Sequence, residues 1–117
     1  MTSLRDQIAA FDDREVESVT VAEWGDLTIE MRAPSAGDRM NVIRSATDEN
    51  GDPDLAKMQA AIIALCATDP SDGLPIFTEK DWDMLNGKAA GPVTTLFSVA
   101  QRLCGLTGDE VEAGKDD

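Results

Sequence analysis

A chain of 117 residues with a formal charge of −13 and no histidine is long enough for one hydrophobic core, burying roughly two thirds of its unfolded surface, and short for two. The charge argues against direct binding to a nucleic-acid backbone, whose affinity comes from Lys and Arg displacing counterions from phosphates, and it disfavours anionic membranes for the same reason. No apolar run approaches the roughly 18 residues of a membrane span, and Met1 to Asp13 carries charges where a signal peptide needs an apolar stretch, so the expected location is the cytoplasm.

Ser3 is placed to cap a helix on which Leu4, Ile8 and Phe11 recur at spacings of four and three, the pattern of a short amphipathic N-terminal helix. The period then changes to two. Val19 and Val21 alternate with Ser18, Thr20 and Ala22, and beyond Gly25 and Asp26 the residues Leu27, Ile29 and Met31 alternate with Thr28, Glu30 and Arg32. This predicts a β-hairpin with one apolar face, turning around Glu23, Trp24, Gly25 and Asp26. Pro34 ends the unit, and Ser35 with Asp38 resembles a capping pair for a helix that carries Met40, Ile43 and Thr47 on one side.

After a polar loop from Asp48 to Pro53, Leu55, Met58, Ile62, Leu65 and Cys66 form the stripe of another helix, in which Ala60, Ala61 and Ala64 supply propensity. The loop from Asp69 to Pro75 holds two prolines and a glycine and predicts a sharp connection. Thr78, followed by Glu79, Lys80 and Asp81, starts a short helix with Trp82 and Leu85 facing inward and Asn86 and Gly87 as its stop. The last helix is expected to open at Pro92, with Val93, Leu96, Phe97, Ala100, Leu103 and Cys104 on one face before Gly105. The predicted fold class is α+β, in the order α, β, β, α, α, α, α: an N-terminal helix, one hairpin and the helices packed against it. A single domain is expected over 1–107, followed by an acidic disordered tail over 108–117. The tail sets five acids against one base, Lys115.

Without histidine, the Ser/His/Asp and Cys/His nucleophile arrangements and the His-containing zinc sites are excluded together. No glycine-rich phosphate cradle and no GxSxG turn occurs. Asp48, Asn50 and Asp52 match the first positions of a calcium loop, but Pro53 stands where its glycine is needed and Gln59 where its bidentate Glu should be. The many acids guarantee carboxylate pairs, yet nothing locates a pair for acid–base work. Cys66 and Cys104, far apart in sequence and each within an apolar helical pattern, read as buried free thiols. The expectation is therefore no catalytic residue, no cofactor and no metal: a protein that acts by binding another protein. Trp24, in the hairpin turn, folds back over the sheet or stays partly exposed as an anchor. The methionines, among them Met31 and Met84, fill gaps in the core or make an adaptable surface.

The stretch TVAEWGDLTIEMRAPSAGDR, residues 20–39, resembles the opening of tail assembly chaperones from long-tailed bacteriophages, where a strand ends in an acid, Trp and Gly, returns as a second strand and leads into a helix with an early Arg, here Arg39. The stretch TDPSDGLPIFTEKDWDML, residues 68–85, is similar to the same family in its Asp69, Gly73, Pro75, Phe77 and Leu85. The resemblance spans residues 19–104. It implies a nonstructural protein that binds the tape-measure protein, the long helical ruler of the tail, and keeps it soluble until tail tube protein polymerises around it. It also implies a frameshifted longer form of the same chain, and Ala113, Gly114 and Lys115 permit a GGGAAAG-type slippery codon set that Asn86, Gly87 and Lys88 do not. Candidate partner-binding residues are Trp24, Met31, Arg39 and Met84. The competing readings are an acidic DNA mimic that inhibits a basic nucleic-acid-binding protein, and a small enzyme with carboxylate chemistry.

Overall fold

A computed structural model describes residues 3–105, so the expected acidic tail and the Ala113 to Lys115 stretch lie outside the described residues. The elements are α1 (Leu4–Ala9), β1 (Val16–Val21), β2 (Leu27–Arg32), α2 (Ala36–Ser45), α3 (Leu55–Cys66), β3 (Ala67–Thr68), α4 (Trp82–Asn86) and α5 (Ala90–Leu103). Over the described residues the fold is α+β, with five α-helices and a three-stranded antiparallel sheet in the order β1-β2-β3.

Helix starts follow side-chain chemistry. Ser3, Ser35 and Asp54 each accept a hydrogen bond from the backbone N–H three residues on, at 3.1, 3.1 and 3.2 Å, satisfying a donor that the helix itself cannot. Thr78 and Asp81 cap each other reciprocally ahead of α4, through a 3-10 turn at Glu79–Asp81. Helix α5 opens at Ala90, two residues before the expected Pro92. Proline is still accommodated there, because an N–H in the first turn has no intrahelical partner to lose.

The hairpin pairs Val19 with Ile29 and Val21 with Leu27. Its turn is a 3-10 segment, Ala22–Trp24, followed by Gly25 at φ +69° and Asp26 at φ +59°. Two consecutive left-handed residues reverse the chain, and glycine and aspartate are among the few types that tolerate that conformation. Strand β3 was not expected. It runs directly out of α3, pairs with Glu30 and Met31, and is fixed by the Thr68 hydroxyl donating to the Glu30 carbonyl at 2.6 Å. Beyond it, Thr68 bridges Pro75, and the Ile76 N–H donates to the Ala67 carbonyl at 3.2 Å, so the 69–74 loop returns along the sheet edge.

The core lies between the inner face of the hairpin (Val19, Val21, Ile29, Met31) and α3, α4 and α5, which contribute Ile62, Ile63, Cys66, Leu85, Val93, Leu96, Ala100 and Leu103. Helix α3 packs against α2, α4 and α5. Every residue from Ala60 to Ala64 is buried, so the alanines act in packing as well as propensity, allowing close approach of the helices around them. Leu55, expected on the stripe, is exposed at the helix start.

Two expected faces differ. In α2 the inward side carries half-buried Arg39, Val42 and Ile43 and leads to fully buried Ala46, while Met40 is half exposed. Helix α2 packs against α3, and Arg39 Nη1, donating to the Cys104 carbonyl at 2.9 Å, ties it to the end of α5. In α1, Leu4, Ile8 and Phe11 are all largely exposed. The periodicity is real, but the core is closed by α3 and α5 without it.

Candidate functional site

The inner face of β2 extends farther than the helices that cover it. At its inner end Met31 is completely buried; Ile29 follows at 6 % exposure, and Leu27, on the same face, is 60 % exposed. A cleft of about 630 Å³ opens at this end, within the usual range of binding clefts. Ile29 and Leu85, both buried, form its floor, and Trp24, Leu27, Ile76, Phe77 and Met84 its walls. The left-handed turn at Gly25 and Asp26 places Trp24 and Leu27 together, the return of the chain at Pro75 brings Ile76 and Phe77, and the capped start of α4 fixes Met84 over the opening.

A second, smaller recess of about 250 Å³ lies between α2, α3 and the start of α4, lined by Val42, Ala61, Leu65 and Trp82 among others. Phe77 lines both. Phe77 thus stands between Trp24, which lines the cleft, and Trp82, which lines the recess. Large aromatic anchors in partly covered pockets are the residue types that dominate protein–protein binding energies.

The polar groups at the cleft are Thr28, Asp69 and Lys88. Asp69 accepts hydrogen bonds from the Ser71 hydroxyl at 2.6 Å and the Ser71 N–H at 2.8 Å, and these hold its carboxyl below the usual aspartate range. It is an ionised turn former. At the former calcium-loop candidate, Asp48 Oδ1 accepts N–H groups of Asn50 and Asp52, both at 2.9 Å, so this carboxylate folds its own loop. Among the described residues no cluster of three or more His, Cys, Asp or Glu is placed to hold a metal ion, and no helix is long and apolar enough to cross a membrane.

Of the four candidate contact residues, Trp24 and Met84 meet in the cleft. Met31 is core, and Arg39 is engaged with the end of α5, remote in role from the cleft lining. Sequence reasoning missed Leu27, Ile76 and Phe77 as surface groups. The available signal was Ile76-Phe77 itself, an apolar pair after Pro75 that belongs to no helical or strand period.

Cys66 and Cys104, distant in sequence, have their sulfurs 3.6 Å apart, both as buried free thiols. Their mutual hydrogen bond and burial push the Cys66 thiol up, and the same bond, with the Arg39 guanidinium, holds Cys104 lower.

The architecture has a solved counterpart. A tail assembly chaperone of bacteriophage HK97 superimposes with a TM-score of 0.59 at 17 % identity, over 83 % of this chain and 89 % of that one. This likeness shows the fold. No curated protein matches the sequence. The model of one family, described as "Phage tail assembly chaperone", matches residues 3–116, nearly the whole chain and well beyond the hairpin and loop stretches that carry the resemblance. Matched over nearly its whole length, this chain belongs to the phage tail assembly chaperone family.

Proposed function

We propose that this chain binds the tape-measure protein of its phage and keeps it soluble and competent for tail tube polymerisation. It acts in the host cytoplasm, without turnover or cofactor, and is left out of the mature virion. The observation that carries this reading is the apolar, aromatic-lined surface on a strongly acidic protein of the tail assembly chaperone family. Such a surface covers apolar segments of a client, while the negative charge keeps the complex apart from its neighbours in solution.

Coexpression with the tape-measure protein, alone and with any longer frameshifted product, tests it. The expected result is a larger soluble fraction of the client and copurification that persists at 0.5 M salt, because apolar burial is not screened as charge attraction is. An insoluble client with nothing copurifying at any salt concentration would end this reading. For the longer product, the coding DNA at Ala113, Gly114 and Lys115 is expected to read GCG GGA AAG or a close equivalent, with an overlapping frame continuing past Asp117. Codons unable to slip there would remove the frameshift from that position.

A further inference from the structure

The open end of the core has a chemistry of its own. Its walls are side chains, and β2 is already paired along its length by β1 and at Glu30 and Met31 by β3. Only the first half of β2 has one free side, too short a row of backbone groups to hold an added strand. What the cleft offers is therefore apolar side-chain area: Leu27, Met84 and Ile76 at 60, 43 and 39 % exposure over the buried floor of Ile29 and Leu85. Apolar grooves of this kind accept the apolar face of a helix, read through anchors at i, i+3 or i+4, and i+7.

The lining itself pairs one acid, Asp69, with one base, Lys88, while the exposed charges next to it in the chain are acidic. Acids adjoin the lining residues on every segment that builds the cleft: Glu23 beside Trp24, Asp26 beside Leu27, Asp69 in the lining itself, Asp72 in the same loop, and Asp83 beside Met84. Lys88 is the single base in the lining. The Asp69 carboxylate is held ionised by Ser71, so this bias persists at neutral pH.

From this juxtaposition we infer that the cleft walled by Trp24, Leu27, Ile76, Phe77 and Met84 is the client-binding site, and that it takes an amphipathic helix whose apolar stripe is flanked by Lys and Arg. The inference rests on the chaperone reading above and names its surface and the chemistry of its ligand. Apolar burial in the cleft supplies most of the affinity. The acids around it, on a chain of net charge −13, set orientation and reject acidic helices, since like charges brought together at an interface are costly.

The test uses the full chain and a designed 18-residue peptide with Leu at the helical stripe positions and Lys on the flanks, beside a twin carrying Glu in place of Lys. With Trp82→Phe as the background, Trp24 becomes the only tryptophan and reports on the cleft. Titration with the Lys peptide is expected to shift Trp24 emission to the blue and to raise peptide helicity by circular dichroism. The Glu twin should bind at least tenfold more weakly. Leu27→Asp and Met84→Glu change exposed side chains and should leave the melting transition in place while weakening the Lys peptide at least tenfold. Met40→Glu, on exposed α2 surface outside the lining, should not weaken it.

Equal binding of the two peptides, or unchanged binding to Leu27→Asp and Met84→Glu, would overturn the inference. Concentration-dependent self-association that these two variants abolish, with no peptide binding, would give the cleft to a second copy of the chain and also overturn it. Coexpression separates this failure from that of the parent reading. If the Leu27→Asp/Met84→Glu chain still solubilises the tape-measure protein, the cleft assignment falls and the function stands; if the unaltered chain does not solubilise it, the function falls whatever the peptide does.

Discussion

Two ends of one apolar face behave as different materials. Toward the inner end of the hairpin, Met31 and Val19 share the core with Leu96 and Ala100 of α5, which packs on both strands, and solvent is excluded. At the outer end Val21 is still covered, at 3 % exposure, but Leu27, paired across from it, and Trp24 border an open cleft. The alternation along β2 is identical at both ends, so patterning alone does not separate a residue that stabilises the fold from one that stays available to a partner. What separates them is the element packed above. Stability should therefore be concentrated at the inner end, with binding at the outer.

The sharpest way to break this contrast is to place the same charge at each end. Leu96→Asp should destabilise by several kcal/mol, about 3–5, because it sets an unpaired carboxylate in a fully buried position and removes packing volume. Leu27→Asp should cost less than about 1 kcal/mol, since the new carboxylate stays hydrated. Urea unfolding of the two variants checks the difference; comparable losses would show that the cleft is closed in solution.

A smaller effect is expected where the inner region is tied to α2. Arg39→Ala removes the hydrogen bond from a charged donor to the Cys104 carbonyl and the cation that favours the Cys104 thiolate. A loss of about 1.5 kcal/mol is expected, in line with hydrogen bonds involving a charged group. An unchanged melting curve would mean that α2 is held by Val42, Ile43 and Ala46 alone.

At the outer region, Thr78→Ala should cost about 1 kcal/mol, the usual worth of a helix cap, by freeing the start of α4. Because α4 carries Met84 over the cleft, the same variant should weaken peptide binding more than its small stability loss implies.

The mildest expected change is with pH. Asp69 has its pKa lowered by Ser71, first through the hydroxyl and then through the N–H. A depressed carboxyl contributes stability that is present above the ordinary aspartate value and is lost as pH falls through the lower folded-state value. The 69–74 loop should thus persist through mild acid and loosen only below the normal aspartate range, which amide exchange in that loop would follow. Ser71→Ala should move the loosening to higher pH.

Much of the molecule was legible in the chain because its signals are local. The caps at Ser3, Ser35 and Thr78, the period-two alternation at Val19 to Met31 and the helical stripe from Val93 to Leu103 each depend on residues a few positions apart, and the structure has the corresponding elements. The family resemblance, carried by residues 20–39 and 68–85, rested on equally short stretches, and the family match extends over residues 3–116.

Tertiary structure alone decided what covers what. Leu4, Ile8 and Phe11 have a helical stripe and stay exposed, whereas Ala60, Ala61 and Ala64 look like spacers and lie in the centre. The two-residue β3 is too short to have a period, and it exists because α3 delivers Ala67 and Thr68 beside Glu30 and Met31. Cys66 and Cys104 meet at 3.6 Å only because α3 and α5 pack together. The cleft is the extreme case. Trp24, Phe77 and Met84 come from a turn, a loop and a helix, and no sequence spacing relates them, since burial is fixed by distant elements arriving at one place.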